Sequence, residues 1–335
     1  MSAVTLSLLV IMTFLATAIG TGLLRLWLVK KNILDYPGAE GGRYVHEVPT
    51  PRGGGLAIYL VLIGAWTVIL GTSSSIPVET GWILVCSAGL AILAWIDDLG
   101  NVNFMLRLLM QVVTAIIGTS LLTGSLPIFQ GLLPPALDAS ATVFLWVGFT
   151  NLFNFTDGID GNAGTKAVVL GLGIFIVSIF GGMPSGFGML GITMAAAAGG
   201  FLVWNWYPAR IFMGDVGSIP LGFLLGWLLF SLATRGEWEA ALILPLIYLA
   251  DSGLTYAGRI IRGEKFWQPH RDLYYQRAAH STGVTHADVV KVILVGNLVL
   301  TVLAVFATQG MINLSLFGAV VTSVVVIAYL RFGFR

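Results

Sequence analysis

Residues 4–24 read VTLSLLVIMTFLATAIGTGLL, an uncharged and almost wholly apolar run that is followed by Arg25, Lys30 and Lys31. A helix of about 20 such residues crosses the hydrocarbon core of a bilayer. We interpret this run as a retained membrane helix, because it lacks the pattern of a cleaved signal peptide. Similar runs recur along the chain, in which 57% of the residues are hydrophobic and only 10% are charged.

Hydropathy predicts an all-α polytopic integral membrane protein with about eleven transmembrane helices. Helices are the expected spanning element, because the alternating pattern of a membrane β-barrel is absent. The predicted spans are 4–24, 56–71, 81–96, 104–123, 141–153, 165–181, 187–206, 218–233, 240–258, 289–307 and 312–330. The single cysteine, Cys86, lies inside a span, which excludes a disulfide framework and a cysteine metal site.

Basic residues are biased toward one set of loops. Of the 17 Lys and Arg residues, only Arg235 lies outside the alternate loops that begin with 25–55, their helix ends and the C-terminus. The positive-inside rule therefore places the N-terminus outside and the C-terminus in the cytoplasm. We expect one transmembrane domain over residues 1–335, and its cytoplasmic active-site loops are expected at about 25–55, 97–103, 154–164, 207–217 and 259–288.

The first cytoplasmic loop ends in Pro51-Arg52-Gly53-Gly54-Gly55, directly before the second predicted span. The glycine backbone amides and the Arg52 guanidinium could approach a phosphate group. The alternative is a flexible loop with a glycine hinge at the helix entry. A glycine run alone does not decide between the two.

Two adjacent aspartates, Asp97 and Asp98, close the third predicted span in the sequence AWIDDLGN. The helix macrodipole disfavours negative charge at a helix C-terminus, and acids at a membrane edge are candidates for function. A solvated turn would explain one aspartate more easily than two, so we favour a functional role.

The most specific polar cluster is NLFNFTDGIDGNAG, residues 151–164, in which Asn154, Asp157 and Asp160 are spaced three apart. If the segment is helical, the three side chains share a face. If it is a turn, Gly158 and Gly161 let the backbone close around a ligand. An EF-hand is excluded, because the loop has no terminal bidentate Glu.

The segment WNWYPARIFMGDVGS, residues 204–218, places Asp215 between two glycines immediately before a predicted helix. A carboxylate in this setting suits a hard cation or the surroundings of a phosphate. The alternative is that Asp215 caps the helix, although Ser218 could do so equally well.

The longest cytoplasmic loop contains QPHRDLYYQR, residues 268–277. His270 stands beside Arg271 and Asp272 in a polar stretch, which favours a functional role. His280 and His286 are expected on the solvated lead-in to the tenth span.

Two further features of this region have open interpretations. Tyr274 and Tyr275 fit an interfacial aromatic belt. Asp251, inside the ninth predicted span, is either a neighbour of the active site or a polar contact between helices.

In this order, the motifs PTPRGGG, WIDDLG, NLFNFTDGIDGNAGT, WNWYPARIFMGDVGS and HRDLYYQR resemble those of the polyprenyl-phosphate N-acetylhexosamine-1-phosphate transferases. This glycosyltransferase family 4 group includes phospho-MurNAc-pentapeptide translocase. The resemblance runs from about residue 35 to 290, and the last motif is most similar to bacterial enzymes that initiate O-antigen or capsule synthesis.

The resemblance implies a reaction. A UDP-N-acetylhexosamine gives its sugar 1-phosphate to undecaprenyl phosphate and releases UMP, on the cytoplasmic side of the bacterial inner membrane. It also implies Mg²⁺ as the cofactor, with Mn²⁺ as an alternative, and leaves a homodimer open. Because both substrates are anionic, a cation and arginines must offset charge at the transferred phosphoryl group.

The resemblance also assigns roles to individual residues. Asp97 and Asp98 would lie at the site where the lipid phosphate attacks, one of them as a base or a positioning group, and Asp215 would bind Mg²⁺. The nucleotide-sugar would be held by Asn154, Asp157, Asp160, Asn205 and Phe212. His270 and Arg271 would contact the diphosphate or the sugar, with His270 in the catalytic group, and His46 and Arg52 would lie near the nucleotide.

Two positions depart from the family pattern. Leu273 stands where relatives often have a second histidine, and Asn101 replaces the third acid of a DDxxD pattern. The alternative function is a secondary transporter of a lipid-linked or sugar phosphate. Transporters typically hold a mid-membrane site between internal repeats, whereas the acids here are expected at one membrane edge.

Overall fold

The computed structural model describes residues 2–36, 48–100, 102–122, 126–264 and 271–334. Within these ranges about three quarters of the residues are helical. The helices are α1 (Ala3–Lys30), α2 (Gly55–Thr72), α3 (Thr80–Leu99), α4 (Phe104–Ser120), α5 (Pro135–Phe155), α6 (Asn162–Phe180), α7 (Ser185–Asn205), α8 (Asp215–Ala233), α9 (Trp238–Ile243), α10 (Leu246–Ile261), α11 (Tyr274–Ala279), α12 (His286–Thr308) and α13 (Ile312–Phe332).

The prediction of an all-α polytopic membrane protein is confirmed, and every predicted span falls on a helix. In the described ranges, 9 helices are long and apolar enough to cross a membrane, and α4 is a shorter apolar helix of 17 residues. The ninth predicted span, 240–258, is wrong as a single helix, because it is divided into α9 and α10 at Pro245. Proline has no N–H for the helical hydrogen-bond ladder, so the helix restarts there.

Helix α8 forms the centre of the bundle. Its sequence is apolar on every face, and almost all of its side chains are buried, chiefly against α3 and α5. A helix that is hydrophobic all round belongs in the interior of a membrane domain. In contrast, α1 and α13 expose large apolar side chains such as Ile19 and Phe317, as lipid-facing helices do.

A short ribbon leads into α2. Strand β1 (Leu34–Asp35) pairs antiparallel with β2 (Thr50–Pro51), and Arg52 then forms a parallel bridge with Phe212. This bridge joins the first loop to the segment before α8. The starts of α2 and α8 and the end of α3 therefore meet at one end of the bundle. Which side of the membrane this end faces stays a prediction from the positive-inside rule.

Candidate active site

The start of α8 is capped by a residue from another helix. The backbone N–H groups of Asp215 and Val216 donate to the two carboxylate oxygens of Asp98, at 3.1 and 2.9 Å. Gly214 makes this approach possible, because its φ is +74° and a Cβ there would lie 2.7 Å from Oδ2 of Asp98. Asp98 thus lies in the last turn of α3 but interacts with the positive end of α8, where negative charge is favoured.

Both candidate caps that the sequence suggests for α8 are replaced by this arrangement. Asp215 is the first helical residue, not the cap. The hydroxyl of Ser218 donates to Oδ1 of Asn154 and to the carbonyl of Gly214, each at 3.1 Å, so the prediction that Ser218 could cap the helix is wrong. Asp215 is consequently available for other contacts.

Arg52 joins the two buried carboxylates. Its Nη2 lies 2.9 Å from Oδ1 of Asp98 and 3.1 Å from Oδ1 of Asp215. Both aspartate side chains are almost fully buried, whereas the Arg52 side chain is 31% exposed. Two oxygens from two helices therefore converge on one cationic position beside the start of α8.

A second arginine completes the cluster. Arg107 pairs with Oδ2 of Asp97, and its Nη1 also lies 3.6 Å from Oδ2 of Asp215. The other oxygen of Asp97 accepts the N–H of Val102 at 2.9 Å. We did not single out Arg107 from the sequence, although it is the sole charged residue of α4, and an isolated charge in an apolar helix is a candidate for function.

We call these five residues, Arg52, Asp97, Asp98, Arg107 and Asp215, the acid–arginine cluster. Its three carboxylates and two guanidinium groups leave one net negative charge. No group of three His, Cys, Asp or Glu side chains in the described ranges forms a ready-made metal cage. Mg²⁺, however, usually takes only one or two protein carboxylates together with substrate phosphates and water. The converging oxygens of Asp98 and Asp215 fit that requirement.

The glycine run after Arg52 is rigidly docked. The N–H groups of Gly53 and Gly54 donate to the carbonyl of Phe212 at 3.2 and 2.8 Å, and that of Gly55 donates to Met213 at 2.8 Å. These amides donate to carbonyl groups of the protein, so the predicted phosphate contact through them is wrong. The alternative of a flexible hinge is wrong as well, because the same hydrogen bonds attach the glycines to the segment before α8. The side chain of Phe212 is 1% exposed, and its main-chain carbonyl accepts the hydrogen bonds of Gly53 and Gly54.

Asn154 and the aspartates that follow it lie where α5 ends and a turn begins. Asn154 is in the last helical turn, and Asp157 and Asp160 belong to the turn that leads to α6. The carboxylate of Asp160 accepts the N–H of Ala209 at 3.0 Å. The side-chain oxygen of Asn205 accepts the N–H of Gly161 at 3.1 Å. Asp160 and Asn205 therefore hold the two polar segments, 151–164 and 204–218, against each other.

His286 is a functional candidate that the sequence interpretation missed. It is buried at the start of α12, so the prediction of a solvated lead-in is wrong for this residue. Its Nδ1 accepts the N–H of Asp160 at 3.2 Å and lies 3.4 Å from Oδ2 of the same residue. A lone histidine gives no sequence signal for such a contact. His46 and His270, which the resemblance assigns to the site, lie outside the described residues.

The end of the longest loop is held by ion pairs and by buried side chains. Asp272 pairs with Arg259 and, at 3.1 Å, with Arg277. Burial acts to raise the pKa of Asp272, but these hydrogen bonds outweigh it and hold the pKa below its ordinary value. Arg271 is exposed, whereas Leu273 is buried in the core, so the position of the second family histidine has a packing role here.

A model of the family described as glycosyl transferase family 4 matches residues 81–233. A probable undecaprenyl-phosphate N-acetylglucosaminyl 1-phosphate transferase of Bacillus subtilis is 27% identical over 318 residues, which cover 92% of this chain and 86% of that protein. These matches support the assignment to glycosyl transferase family 4 that the motifs suggest.

Two other relatives match over shorter regions. A decaprenyl-phosphate N-acetylglucosaminephosphotransferase of Mycolicibacterium smegmatis is 31% identical over 236 residues, or 63% of this chain and 56% of that protein. A phospho-N-acetylmuramoyl-pentapeptide-transferase of Streptococcus suis is 42% identical over 111 residues, or 33% of this chain and 32% of that protein.

The glycosyl transferase family 4 match includes most of the acid–arginine cluster. Residues 81–233 contain Asp97, Asp98, Arg107 and Asp215, and they also contain the turn that follows α5. Arg52 lies before the matched region and is brought to it by the bridge to Phe212.

Proposed function

We propose that this chain transfers N-acetylhexosamine 1-phosphate from a UDP-sugar to undecaprenyl phosphate or a similar polyprenyl phosphate, and releases UMP. The observation that carries the proposal is the acid–arginine cluster, in which Arg52 lies between Asp98 and Asp215. The relatives' names support the reaction class, since those of B. subtilis and M. smegmatis are described as polyprenyl-phosphate N-acetylglucosamine phosphotransferases.

The chemistry requires two anions to meet. An oxygen of the lipid phosphate forms a bond to the phosphorus that carries the sugar, and the bond from that phosphorus to UMP breaks with its electron pair on UMP. A phosphate monoester is already largely ionised near neutral pH, so it needs little help from a base. Arg52 and Arg107 are placed to offset the charge that accumulates, which is the main task of a phosphoryl-transfer site.

A divalent cation fits the same place. Asp215 and Asp98 would hold Mg²⁺, or Mn²⁺ in its stead, because their Oδ1 atoms already converge on one cationic group. When bound, the ion would neutralise and orient the phosphate oxygens. The arginines would then be free to turn toward the substrate phosphates, while the backbone N–H groups at the start of α8 keep Asp98 in position.

An apolar cavity supports a lipid acceptor. It has a volume of about 650 Å³ and lies between α5, α8, α9 and α10. Phe144, Leu145, Leu229, Leu242 and Leu249 are among the side chains that line it. Pro245, which separates α9 from α10, is itself one of the lining residues, so the chain interruption and the cavity occur together. A polyprenyl chain has the apolar surface that such a lining would bind.

We further propose that the cluster faces the cytoplasm of a bacterial inner membrane and that the product starts a lipid-linked surface glycan. The side is supported by the 17 basic residues, of which only Arg235 lies on the opposite side. The form of the segment HRDLYYQR favours O-antigen or capsule synthesis over other glycans.

The test is a transfer assay with purified protein in nanodiscs, undecaprenyl phosphate, Mg²⁺ and a panel of radiolabelled UDP-N-acetylhexosamines. We expect label in the lipid fraction and one UMP released for each lipid product. If no donor gives a labelled lipid or UMP, the proposed function is wrong. Movement of an intact lipid-linked or sugar phosphate across sealed vesicles without UMP would favour a transporter instead.

A further inference from the structure

A buried aspartate in α10 holds the short helix α11. The backbone N–H of Tyr274 donates to Oδ1 of Asp251 at 2.8 Å, and that of Tyr275 approaches Oδ2 at 3.3 Å. These are the first two N–H groups of α11, which the helix itself cannot satisfy. Asp251 is therefore the side chain that fixes where α11 begins, just after the segment that carries Arg271.

The opposite side of α11 contacts the turn that follows α5. The hydroxyl of Tyr275 donates to the carbonyl of Phe155 at 2.7 Å. Burial, together with the charges of Asp251 and Asp157, raises the pKa of this hydroxyl, so it remains a donor. A Cβ at Gly158 would lie 2.5 Å from Nε2 of Gln276, which shows how closely α11 and the turn approach. Tyr275 is thus buried and does not belong to an interfacial aromatic belt.

Lys166 supplies a buried positive charge near Asp251. Its side chain is fully buried in α6, and its Nζ has no hydrogen-bond partner in the described part of the chain. The ammonium group lies 4.1 Å from the ring centre of Tyr248, which is one helical turn before Asp251 in α10. Asp251 is the buried carboxylate on that helix. A buried ammonium requires such a partner, because burial without one is strongly unfavourable.

We propose that Asp251 is a positioning residue for the segment that carries Arg271, with Lys166 as a second buried ionisable group beside the same helix. Asp251 and Tyr275 attach α11 at its two sides, one to α10 and one to the turn that contains Asp157. This attachment sets the place of Arg271, three residues before α11. The role of Arg271 in holding the donor diphosphate or sugar rests on the proposed function, whereas the attachment of α11 does not.

The test compares Asp251→Asn with the wild type by hydrogen exchange in nanodiscs. Asparagine has the same size, but its amide nitrogen presents a donor to one of the two N–H groups. We expect the amides of residues 271–280 to exchange about tenfold faster, as loss of a charge-assisted hydrogen bond implies. Peptides from α12 should keep their wild-type rates.

Kinetics supply the second readout. We expect KM for the UDP-sugar to rise about tenfold in Asp251→Asn, while KM for the polyprenyl phosphate stays within about twofold. Asp138→Asn is the matched control. Asp138 is also buried and accepts two backbone N–H groups, from Ile128 and Phe129 at 3.3 and 2.9 Å, but in a different loop. This control should change neither the exchange of 271–280 nor KM for the donor.

A double variant separates positioning from stability. In Asp251→Asn the buried carboxylate is removed while the buried ammonium of Lys166 remains, so the melting temperature should fall. Adding Lys166→Met removes the second buried ionisable group and should restore the melting temperature, because no buried charge is then left without an opposite one. Fast exchange in 271–280 and the raised donor KM should persist, since the asparagine still cannot accept both N–H groups.

Several results would overturn the proposal. Wild-type exchange in 271–280, an equal rise of exchange throughout α12, or recovery of donor KM together with the melting temperature would each exclude a positioning role. If Asp251→Asn does not yield folded protein, Tyr275→Phe loosens α11 from its other side and should raise exchange in the same residues. If the wild type transfers no sugar phosphate, the proposed function fails, while the exchange experiment still decides the attachment of α11.

Discussion

Replacing Arg107 by glutamine tests how charge is balanced in the acid–arginine cluster. Nη1 of Arg107 lies 3.6 Å from Oδ2 of Asp215, and at an effective dielectric constant of about 20 two unit charges at that distance attract by roughly 4.6 kcal/mol. The Arg107 side chain is 25% exposed, so water reduces this energy, and we expect a net effect of roughly 2 kcal/mol. Without the positive charge, the phosphate of the incoming substrate meets uncompensated carboxylates.

The assay for this prediction is kcat/KM for transfer to undecaprenyl phosphate. Arg107→Gln should lower it by about 30-fold, which corresponds to roughly 2 kcal/mol. Arg107→Lys keeps the charge and should recover most of the loss. Arg331→Gln is the control, because this arginine is exposed at the end of α13 and is far along the chain from the cluster. Activity of Arg107→Gln within twofold of the wild type would refute the reasoning.

Three further predictions follow from the same region and its surroundings. Asp98→Asn and Asp215→Asn should both abolish turnover. Only Asp98→Asn should also lower the melting temperature, because Asp98 accepts the first N–H groups of α8. Equal melting temperatures of the two variants would contradict the capping role of Asp98. Gly55→Ala should destabilise the protein by about 1–3 kcal/mol through overpacking, since a Cβ there would lie 2.1 Å from Gly217. Gly64→Ala on the same helix has open space and should not destabilise the protein, because alanine is favoured over glycine in a helix. At Gly148, which lines the apolar cavity, a Cβ would meet no atom within 4 Å. Gly148→Leu should therefore occupy part of the cavity and raise KM for the polyprenyl phosphate but not for the UDP-sugar. An unchanged lipid KM would exclude this cavity as the acceptor site.

The positions of the helices could be predicted from the sequence because apolar runs in a membrane protein have few alternatives to a helix. The division of the ninth span at Pro245 could not be predicted with the same ease. Apolar residues continue on both sides of this proline, and Pro220 lies within α8 without ending it. Whether a proline breaks a helix depends on the neighbouring elements that satisfy the freed backbone groups, and those are tertiary contacts.

Some residues of the candidate site could be predicted from the sequence, and others could not. Asp98 and Asp215 stand out because carboxylates at helix ends in an apolar chain are costly unless they have a use. Their joint contact with Arg52 depends on two helices that are far apart in sequence, and no spacing rule reports it. Arg107 was visible as an isolated charge in α4. His286 could not be recognised from the sequence, because only the fold brings its partner Asp160 to it.

The experiment that tests the central claim most directly follows the phosphate that carries the sugar. Purified protein is given undecaprenyl phosphate, Mg²⁺ and UDP-N-acetylhexosamine labelled with ³²P in the phosphate next to the sugar, and Asp215→Asn is treated in parallel. We predict that the label enters the lipid with an equal amount of UMP in the wild type and not in Asp215→Asn. Release of labelled UDP, or equal transfer by the variant, would contradict sugar-phosphate transfer at the acid–arginine cluster.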